Sequence, residues 1–166
     1  MTDPVRAAFD RIAEQYAADF ADELTRKPWD VERLRRFGAA CPPGPVLDVG
    51  CGAAGHVGRF VADLGTRPDR AVIGVDFSER SVILASRLNP TLSFVAADVR
   101  ALPVADGVCA GIVAFYSLIY GGDGLHGRAR GRALARGSAP GLTGNEERHE
   151  TARAATYRRS VACSNA

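Results

Sequence analysis

Three aspartates and one tyrosine in this sequence each stand at or just after a short apolar run. These residues are Asp48, Asp76, Asp98 and Tyr116. Carboxylates accept hydrogen bonds from ammonium groups, amines and hydroxyls. The carboxyl ends of parallel strands meet at one edge of a sheet, and ligands bind at that edge in open α/β folds. The four positions therefore predict one site for a polar small molecule.

A glycine-rich loop, DVGCGAAG (48–55), leads from the first of these apolar runs into a helical pattern. Glycines let the chain turn sharply and let a ligand approach the backbone. The start of the following helix presents free N–H groups to an anion, whether carboxylate or phosphate. We therefore expect Gly50, Cys51, Gly52 and Gly55 to contact a cofactor, although a G-x-G-x-x-G motif alone does not identify it.

The charge of this loop favours one class of ligand. Asp48 lies two residues before the first glycine, where a carboxylate would repel a pyrophosphate. The same carboxylate attracts an ammonium by about 4 kcal/mol at ~4 Å and an effective dielectric of about 20, before desolvation. Asp76 is placed for ribose hydroxyls and Asp98 for an exocyclic amine. Ammonium, ribose and adenine amine in that order describe S-adenosylmethionine, whereas the alternative, a nicotinamide dinucleotide, rests on the glycine motif alone.

The elements that position these residues alternate between apolar strands and helices. Two helices come first, and strands are predicted at 46–50, 71–75, 92–96 and 110–115 with helices between them. Continuously apolar strands indicate burial on both faces, and strands separated by helices form a parallel sheet. The predicted fold class is α/β: a doubly wound, mostly parallel, Rossmann-like sheet with N-terminal helices and an incomplete C-terminal half.

The composition changes near residue 120 of the 166-residue chain. We predict a helical segment at 1–40, a cofactor-binding core at 41–120 and a low-complexity, disordered tail at 121–166. Arg, Gly and Ala are in excess in this tail, as GC-rich codons give when they are read out of frame, so we expect the domain to be truncated or frame-shifted after about residue 120. If the tail is authentic, we expect a bare sheet edge beside the fourth strand. The tail contains few large apolar residues with which to build a core, namely Leu125, Leu134, Leu142 and Val161.

Other features narrow the class of protein. The net charge of +2 argues against a dedicated nucleic-acid partner. The start of the chain lacks a signal-peptide pattern, and no apolar run approaches the roughly 18–20 residues of a membrane span. The four cysteines form no C-x-x-C pair, so we expect reduced thiols, a cytoplasmic location and no metal site.

The sequence resembles the class I S-adenosylmethionine-dependent methyltransferases, in particular the small-molecule branch labelled type 11 or type 25. The similar stretches are FDRIAEQYAADF (9–20), VLDVGCGAAGHVGRF (46–60), VIGVDFSERSVILASR (72–87) and FVAADVRALPVADGVCAGIVAFYSL (94–118). The resemblance implies S-adenosylmethionine as cofactor and a small molecule as methyl acceptor. It also implies that Asp48, Gly50 and Gly52 hold the methionine end.

Further roles follow from the same resemblance. It implies that Asp76 binds the ribose and that Phe77 packs on the adenine. Asp98 and the Val99 backbone would bind the adenine amine. The pocket for methyl transfer would be lined by Tyr16 and Tyr116.

No catalytic residue is predicted from the sequence. Displacement at a sulfonium requires mainly that the nucleophile be held close to the methyl group, and a base is optional. Two alternatives stay open at this point. Beside an active methyltransferase, the sequence permits an incomplete, inactive methyltransferase-like protein that at most binds cofactor, or an NAD(P)-dependent oxidoreductase.

Overall fold

The apolar runs of the sequence form the strands of one sheet. The computed structural model describes residues 3–65, 70–105, 107–117 and 161–163. Across the sheet the strand order is β3-β2-β1-β4-β5, with β1 to β4 parallel and β5 antiparallel to β4. The predicted doubly wound, mostly parallel α/β fold is thereby confirmed. The strands are β1 (Val46–Val49), β2 (Val72–Asp76), β3 (Ser93–Ala96), β4 (Gly111–Val113) and β5 (Val161–Cys163).

Helices precede the sheet and connect its parallel strands. Ser78 caps α4, since its hydroxyl oxygen accepts a hydrogen bond from the Ser81 N–H at 3.0 Å. Gly65 follows α3 with a φ of +60°, as expected for a residue that ends a helix. The helices are α1 (Asp3–Phe20), α2 (Pro28–Ala40), α3 (His56–Asp63) and α4 (Glu79–Leu88), with short 3-10 turns at Glu23–Arg26 and Val99–Ala101.

The second helix is longer than its sequence pattern indicates. The sequence predicts a cap at Asp30 and an end at Gly38, but α2 runs from Pro28 to Ala40. Proline suits the first turn because its missing N–H needs no partner there. Gly38 therefore does not end α2. Its lack of a side chain leaves room for Leu64, since a Cβ on Gly38 would lie 2.6 Å from Cδ1 of Leu64.

Both faces of β1 are covered, which makes it the centre of the core. Leu34 and Phe37 of α2 and Val61 of α3 pack with Val46 and Val113 on one face. Side chains alternate between the two faces of a strand, so the neighbouring residues contribute to the other face. The cluster on that face contains Leu47, Val49, Val75, Leu102 and Ala114.

The third strand differs from its sequence pattern. The apolar run predicts burial on both faces, but Ser93, Val95 and Ala96 are exposed and Phe94 is half-buried. The reason is that β3 lies at the edge of the sheet, where β2 is its neighbour on one side only. An apolar run therefore indicated a strand correctly but not its place in the sheet.

Three residues of the predicted tail belong to the sheet. Val161–Cys163 pairs with β4, with Gly111 opposite Cys163 and Val113 opposite Val161. The expectation of a bare edge beside β4 is therefore wrong at these positions, because hydrogen bonds join both sides of β4 to neighbouring strands. The rest of residues 121–166 lies outside the described part of the chain, and the domain boundaries near 40 and 120 stay predictions.

An arginine joins the end of α2 to the start of β2, and its loss should destabilise the fold. Nη1 of Arg70 donates to the Gly38 carbonyl at 3.0 Å, and Nη2 donates to the Cys41 carbonyl at 2.9 Å. The last carbonyls of a helix have no partner within it, so these charge-assisted bonds matter. We expect Arg70→Ala to lower the free energy of unfolding by about 1.5–3 kcal/mol in urea denaturation.

The matched control is Arg36→Ala on the exposed surface of α2. Arg36 pairs there with Glu32 at 2.9 Å, and both side chains are largely in solvent. Exposed ion pairs at this spacing contribute about 0.3–0.5 kcal/mol. Equal losses in the two variants would contradict the role given to Arg70.

Candidate functional site

A cavity of about 370 Å³ lies at the carboxyl ends of β1, β2 and β4. Its volume falls within the roughly 300–1,000 Å³ of small-molecule sites. The sheet and the glycine loop form one wall, while α1 and the turn after it form the opposite wall. The site therefore lies where parallel-sheet topology places a ligand.

The glycine loop needs glycine at two positions for both conformation and space. Gly50 and Gly52 have φ values of +72° and +63°, in the left-handed region. A Cβ on Gly50 would lie 2.1 Å from Cβ of Ser117, and one on Gly52 would lie 2.9 Å from Cε1 of Tyr16. Both glycines and Cys51 line the cavity, as the sequence predicts. The N–H groups of Gly50 and Cys51 donate to the Val75 carbonyl, and that of Gly52 donates to Asp76, so these bonds fix the path of the loop in the cavity wall.

The third glycine has a different position from the one predicted. Gly55 begins α3 with a φ of +59° and is not among the residues that line the cavity. A Cβ on Gly55 would lie 2.9 Å from Nδ2 of Asn89 and from Cζ of Phe94. Its small size therefore permits packing of the start of α3, and the structure does not bring it to the cavity.

Asp48 is a buried carboxylate within β1 rather than beyond its end. Its side chain is almost fully buried, and Oδ2 accepts a hydrogen bond from the Gly58 N–H at 2.8 Å. Burial raises the pKa of Asp48 to about 7, more than this hydrogen bond lowers it, and the charge of Asp76 adds to the rise. Asp48 is among the residues that line the cavity, so a cationic ligand group close to its carboxyl would lower the cost of ionising it.

Asp76, the last residue of β2, is held by two backbone donors. Oδ2 accepts from the Gly52 N–H at 3.0 Å, and Oδ1 accepts from the Ser78 N–H at 2.9 Å. Burial nevertheless raises the pKa of Asp76. Each oxygen can accept a further hydrogen bond, and the residue lines the cavity. This orientation suits a ligand with neighbouring hydroxyls.

Asp98 is the predicted site residue whose side chain the structure does not bring to the cavity. Its carboxylate pairs with the Arg100 guanidinium and accepts from the Arg100 N–H at 2.9 Å. The Arg100 side chain holds the pKa of Asp98 well below its usual range. The neighbouring residues Ala97 and Val99 do line the cavity, so this strand end contributes an apolar wall.

Aromatic residues line the cavity at two places. Phe77 follows β2 and meets Phe9 of α1 edge to face, with ring centroids 5.2 Å apart. Tyr16 stacks on Phe20 with centroids 4.2 Å apart. Both Phe77 and Tyr16 are cavity residues, as the sequence predicts, and α1 therefore covers the site with aromatic side chains.

Tyr116 also lines the cavity, with an unusual backbone conformation. Its φ of +55° is in the region that favours glycine. The hydroxyl donates to Oδ2 of Asp30 at 3.4 Å, and Nζ of Lys27 lies 4.1 Å from the ring centroid. These contacts on both the ring and the hydroxyl hold the side chain against the N-terminal elements.

Sequence reasoning missed a polar cluster in the cavity wall, formed by Glu23, Lys27 and His56. Oε2 of Glu23 lies 3.2 Å from Nε2 of His56, and its Oε1 lies 2.5 Å from Nζ of Lys27. All three residues line the cavity. Because His56 lacks a partner at metal-ligand spacing, the sequence predicts a solvated or loop histidine. The structure instead buries it against Glu23, which is 33 residues away in the chain. The position of His56 directly after the glycine loop was the only local signal.

The remaining polar groups give no sign of a second kind of chemistry. Burial raises the pKa of the Cys51 thiol well above its usual value, so this cysteine is not a reactive thiolate. Among the described residues, no group of three or more His, Cys, Asp or Glu side chains could hold a metal ion. In the same part of the chain, no helix is both long and apolar enough to cross a membrane.

The doubly wound sheet, the glycine loop and the carboxylates beside it define a class I methyltransferase fold. A family model described as a methyltransferase domain matches residues 46–136, more than half of the chain. The chain therefore belongs to the methyltransferase-domain family, whose cofactor is S-adenosylmethionine. The predicted family and cofactor are confirmed.

Individual relatives support the same assignment. The malonyl-[acyl-carrier protein] O-methyltransferase of Pseudescherichia vulneris is 36% identical over 102 residues, which are 61% of this chain and 37% of that protein. This chain thus spans little more than a third of that curated relative.

Solved structures show the same fold. A Methanococcus maripaludis protein assigned to the S-adenosyl-L-methionine-dependent methyltransferases matches with a TM-score of 0.52 and 22% identity, over 76% of this chain and 56% of that one. The PH0226 protein of Pyrococcus horikoshii matches with a TM-score of 0.51 and 20% identity, over 63% of this chain and 49% of that one.

The buried Asp48 carboxyl should make stability depend on pH. Its pKa is about 7 in the folded chain and ~4 when unfolded, so between these values only the folded state keeps the proton. The free energy of unfolding should therefore fall with rising pH by up to about 1.4 kcal/mol per pH unit. Asp48→Asn should lack this contribution. In urea denaturation from pH 4.5 to 7.5, the free energy of unfolding of the variant minus that of the wild type should therefore increase with pH.

Asp98→Asn is the matched control for this measurement. Asp98 has a lowered pKa in the folded chain, so its contribution is already complete above about pH 5. The difference between Asp98→Asn and the wild type should stay constant from there to pH 7.5. Parallel curves for Asp48→Asn and the wild type would show that burial does not raise the Asp48 pKa.

Proposed function

We propose that this chain binds S-adenosylmethionine in the cavity and transfers its methyl group to a small-molecule acceptor. The observation that carries the proposal is the pair of buried carboxylates, Asp48 and Asp76, in the cavity wall that contains the glycine loop. When bound, S-adenosylmethionine supplies an electrophilic methyl group on a positively charged sulfur. A cation is the kind of ligand that two adjacent buried carboxylates favour.

The residues of the cavity fit the parts of this cofactor. Asp48 would face the methionine ammonium, with the Gly50 and Gly52 backbone beside it, and Asp76 would accept hydrogen bonds from the ribose hydroxyls. Phe77 and Val99 would contact the adenine ring, since both belong to the apolar part of the wall. The Val99 backbone would bind the adenine amine. The Asp98 carboxylate could bind the adenine amine only after breaking its ion pair with Arg100.

The acceptor side of the cavity would be formed by the N-terminal elements and the end of β4. Tyr16 and Tyr116 line it and would position the acceptor while excluding water.

The relative from Pseudescherichia vulneris is named for action on malonyl-[acyl-carrier protein]. Lys27 is the only lysine or arginine among the described residues lining this cavity, and Glu23 already pairs with it. This charge balance supports a neutral small molecule over an anionic acceptor.

One alternative function is supported by a specific observation. Because the chain spans 37% of its curated relative, it can bind cofactor without completing an acceptor site. Formation of S-adenosylhomocysteine from S-adenosylmethionine, followed with a panel of small-molecule acceptors, separates a transferase from a protein that only binds. The oxidoreductase alternative rested on the glycine motif, which the methyltransferase family explains, and nothing else supports it.

Removal of the Asp76 charge should weaken cofactor binding. In calorimetry with S-adenosylhomocysteine, Asp76→Asn should raise Kd by about 10–100-fold, since hydrogen bonds to a charged group contribute about 1.5–3 kcal/mol. Asp98→Asn serves as the matched control and should change Kd by less than about threefold, because Asp98 is paired with Arg100 away from the cavity. Circular dichroism establishes that both variants are folded.

Two results would count against this proposal. Absence of binding heat from the folded wild-type protein at millimolar S-adenosylhomocysteine would overturn it. Tight binding of NADH under the same conditions would favour the oxidoreductase instead.

A further inference from the structure

The helix α1 is attached to the rest of the protein with little burial of apolar side chains. Among the α1 side chains that the structure describes, the buried ones are Ala13 and Ala17, which pack against Ala53 of the glycine loop. Ile12 is half exposed, whereas α2 buries Leu34 completely in the core. Elements with few buried apolar contacts open at the lowest cost in free energy. α1 can therefore separate from the sheet without disrupting the core.

The aromatic side chains of α1 face the cavity instead of the core. Phe9, Tyr16 and Phe20 line the cavity, and each of them is partly exposed. Phe9 meets Phe77 beyond the end of β2, while Tyr16 lies against the glycine loop at Gly52. α1 thus crosses the cavity between two groups of predicted cofactor residues. A ligand bound beneath it would add to its apolar contacts.

Two carboxylates of α1 bind the start of α4. Oδ1 of Asp10 accepts a hydrogen bond from the Ser78 hydroxyl at 2.5 Å and a longer one from the Arg80 N–H at 3.3 Å. The Arg80 guanidinium forms an ion pair with Glu14, in which Nε donates to Oε1 at 2.8 Å. Free N–H groups and the helix dipole favour anions at a helix N-terminus. We call these contacts of Asp10 and Glu14 with Ser78 and Arg80 the latch of α1.

The latch lies outside the cavity and is accessible to water. The side chains of Glu14 and Arg80 are 55% and 42% exposed, so water can replace the contacts of their ion pair. The bond between Asp10 and Ser78 is partly buried. These four residues are not among those that line the cavity. The latch can therefore influence a ligand only through the position of α1.

The opposite end of α1 is anchored. Nη2 of Arg59 donates to the Ala21 carbonyl at 3.2 Å, directly after the helix. Glu23 is buried, and its carboxylate lies 3.2 Å from Nε2 of His56 at the start of α3. Hinges are formed by a few residues at the ends of elements. The turn at residues 21–22 is therefore the place about which α1 can rotate.

The carboxylates that fit the cofactor are shielded while α1 is in place. Asp48 is 1% exposed and Asp76 is 7% exposed, although both belong to the cavity wall. A ligand as large as S-adenosylmethionine cannot reach side chains with so little exposure unless part of the wall moves. The strands belong to the packed core, whereas α1 is held by alanines and a latch that is open to water.

We propose that α1 is a lid, hinged at residues 21–22 and latched to α4, that opens to exchange the cofactor and closes over it. The proposal rests on the proposed function and concerns access to the same site. Occupancy and closure are linked because Asp76, Phe77 and Ser78 are consecutive, and Asp76 accepts a hydrogen bond from the Ser78 N–H at 2.9 Å. A ligand at Asp76 and Phe77 therefore favours the closed lid.

The first test measures the kinetics of S-adenosylhomocysteine binding to the immobilised full chain by surface plasmon resonance. The latch holds the lid closed in both the free and the bound protein, so its loss should speed both entry and exit. Asp10→Ala should raise the association and dissociation rate constants by about tenfold each, with Kd within about threefold of the wild type. Glu14→Gln, which loses only an exposed ion pair, should raise both constants by about two- to threefold.

The matched control is Glu32→Gln on α2. Glu32 forms an exposed ion pair with Arg36 at 2.9 Å, away from α1 and the cavity. This variant should leave both rate constants unchanged. Equal effects of Glu32→Gln and Glu14→Gln would contradict the role of the latch.

The second test follows the lid itself by amide hydrogen exchange of the full chain. Saturating S-adenosylhomocysteine should slow exchange in α1 of the wild type by about tenfold or more. Without ligand, Asp10→Ala should speed exchange in α1 and leave exchange in β1 unchanged, because β1 lies in the core. Faster exchange in both elements would indicate general destabilisation and would overturn the proposal.

The outcomes separate the lid from the proposed function. If the wild type binds S-adenosylhomocysteine but exchange in α1 does not change, α1 is not a lid, while cofactor binding stands. The same holds if Asp10→Ala raises Kd through the dissociation rate constant alone, since the carboxylate would then stabilise the bound state only. Absence of binding to the wild type overturns both proposals. If Asp10→Ala does not fold, Glu14→Gln and the exchange of the wild type decide.

Discussion

Two buried carboxylates hold the glycine loop against the sheet, and the whole cavity depends on them. Asp76 binds the Gly52 N–H, and Asp48 binds the Gly58 N–H at the start of α3. Buried carboxylates are costly unless backbone donors compensate. Gly52 of the loop and Gly58 of α3 supply those donors, and in return the path of the loop and the start of α3 are tied to β1 and β2. Burial still raises the pKa of Asp48 in spite of its hydrogen bond to Gly58, and a cationic ligand group beside the carboxyl would lower that pKa.

The sheet and the N-terminal elements have separate tasks in this cavity. The ends of β1 and β2 carry the groups that fit the cofactor, and the apolar end of β3 extends that wall. The elements around α1 and α2 close the other side, where Tyr16, Glu23 and Lys27 reach the cavity. Because Tyr116 contacts Asp30 and Lys27, the end of β4 is held to those same elements.

Much of the fold followed from the sequence, because its signals are local. The apolar runs and the glycine loop each depend on neighbouring residues, and the structure has these runs as strands and the loop between β1 and α3, as predicted. The exposure of β3 and the pairing of β5 were not predicted, because a run of apolar residues does not reveal which strands lie beside it. Asp98 was a plausible ligand by position, but Arg100 two residues later holds its carboxylate.

The sequence by itself determined the fold class, the methyltransferase family and the wall around Asp48 and Asp76, since backbone conformation and strand ends are written in short stretches of residues. Only the tertiary structure decided that His56 meets Glu23 across 33 residues of chain, and that Gly55 serves packing rather than the cavity. The physical reason is that side-chain direction and burial arise when separate elements pack together. The chemistry of a histidine depends on the partner of each ring nitrogen, which no local pattern specifies.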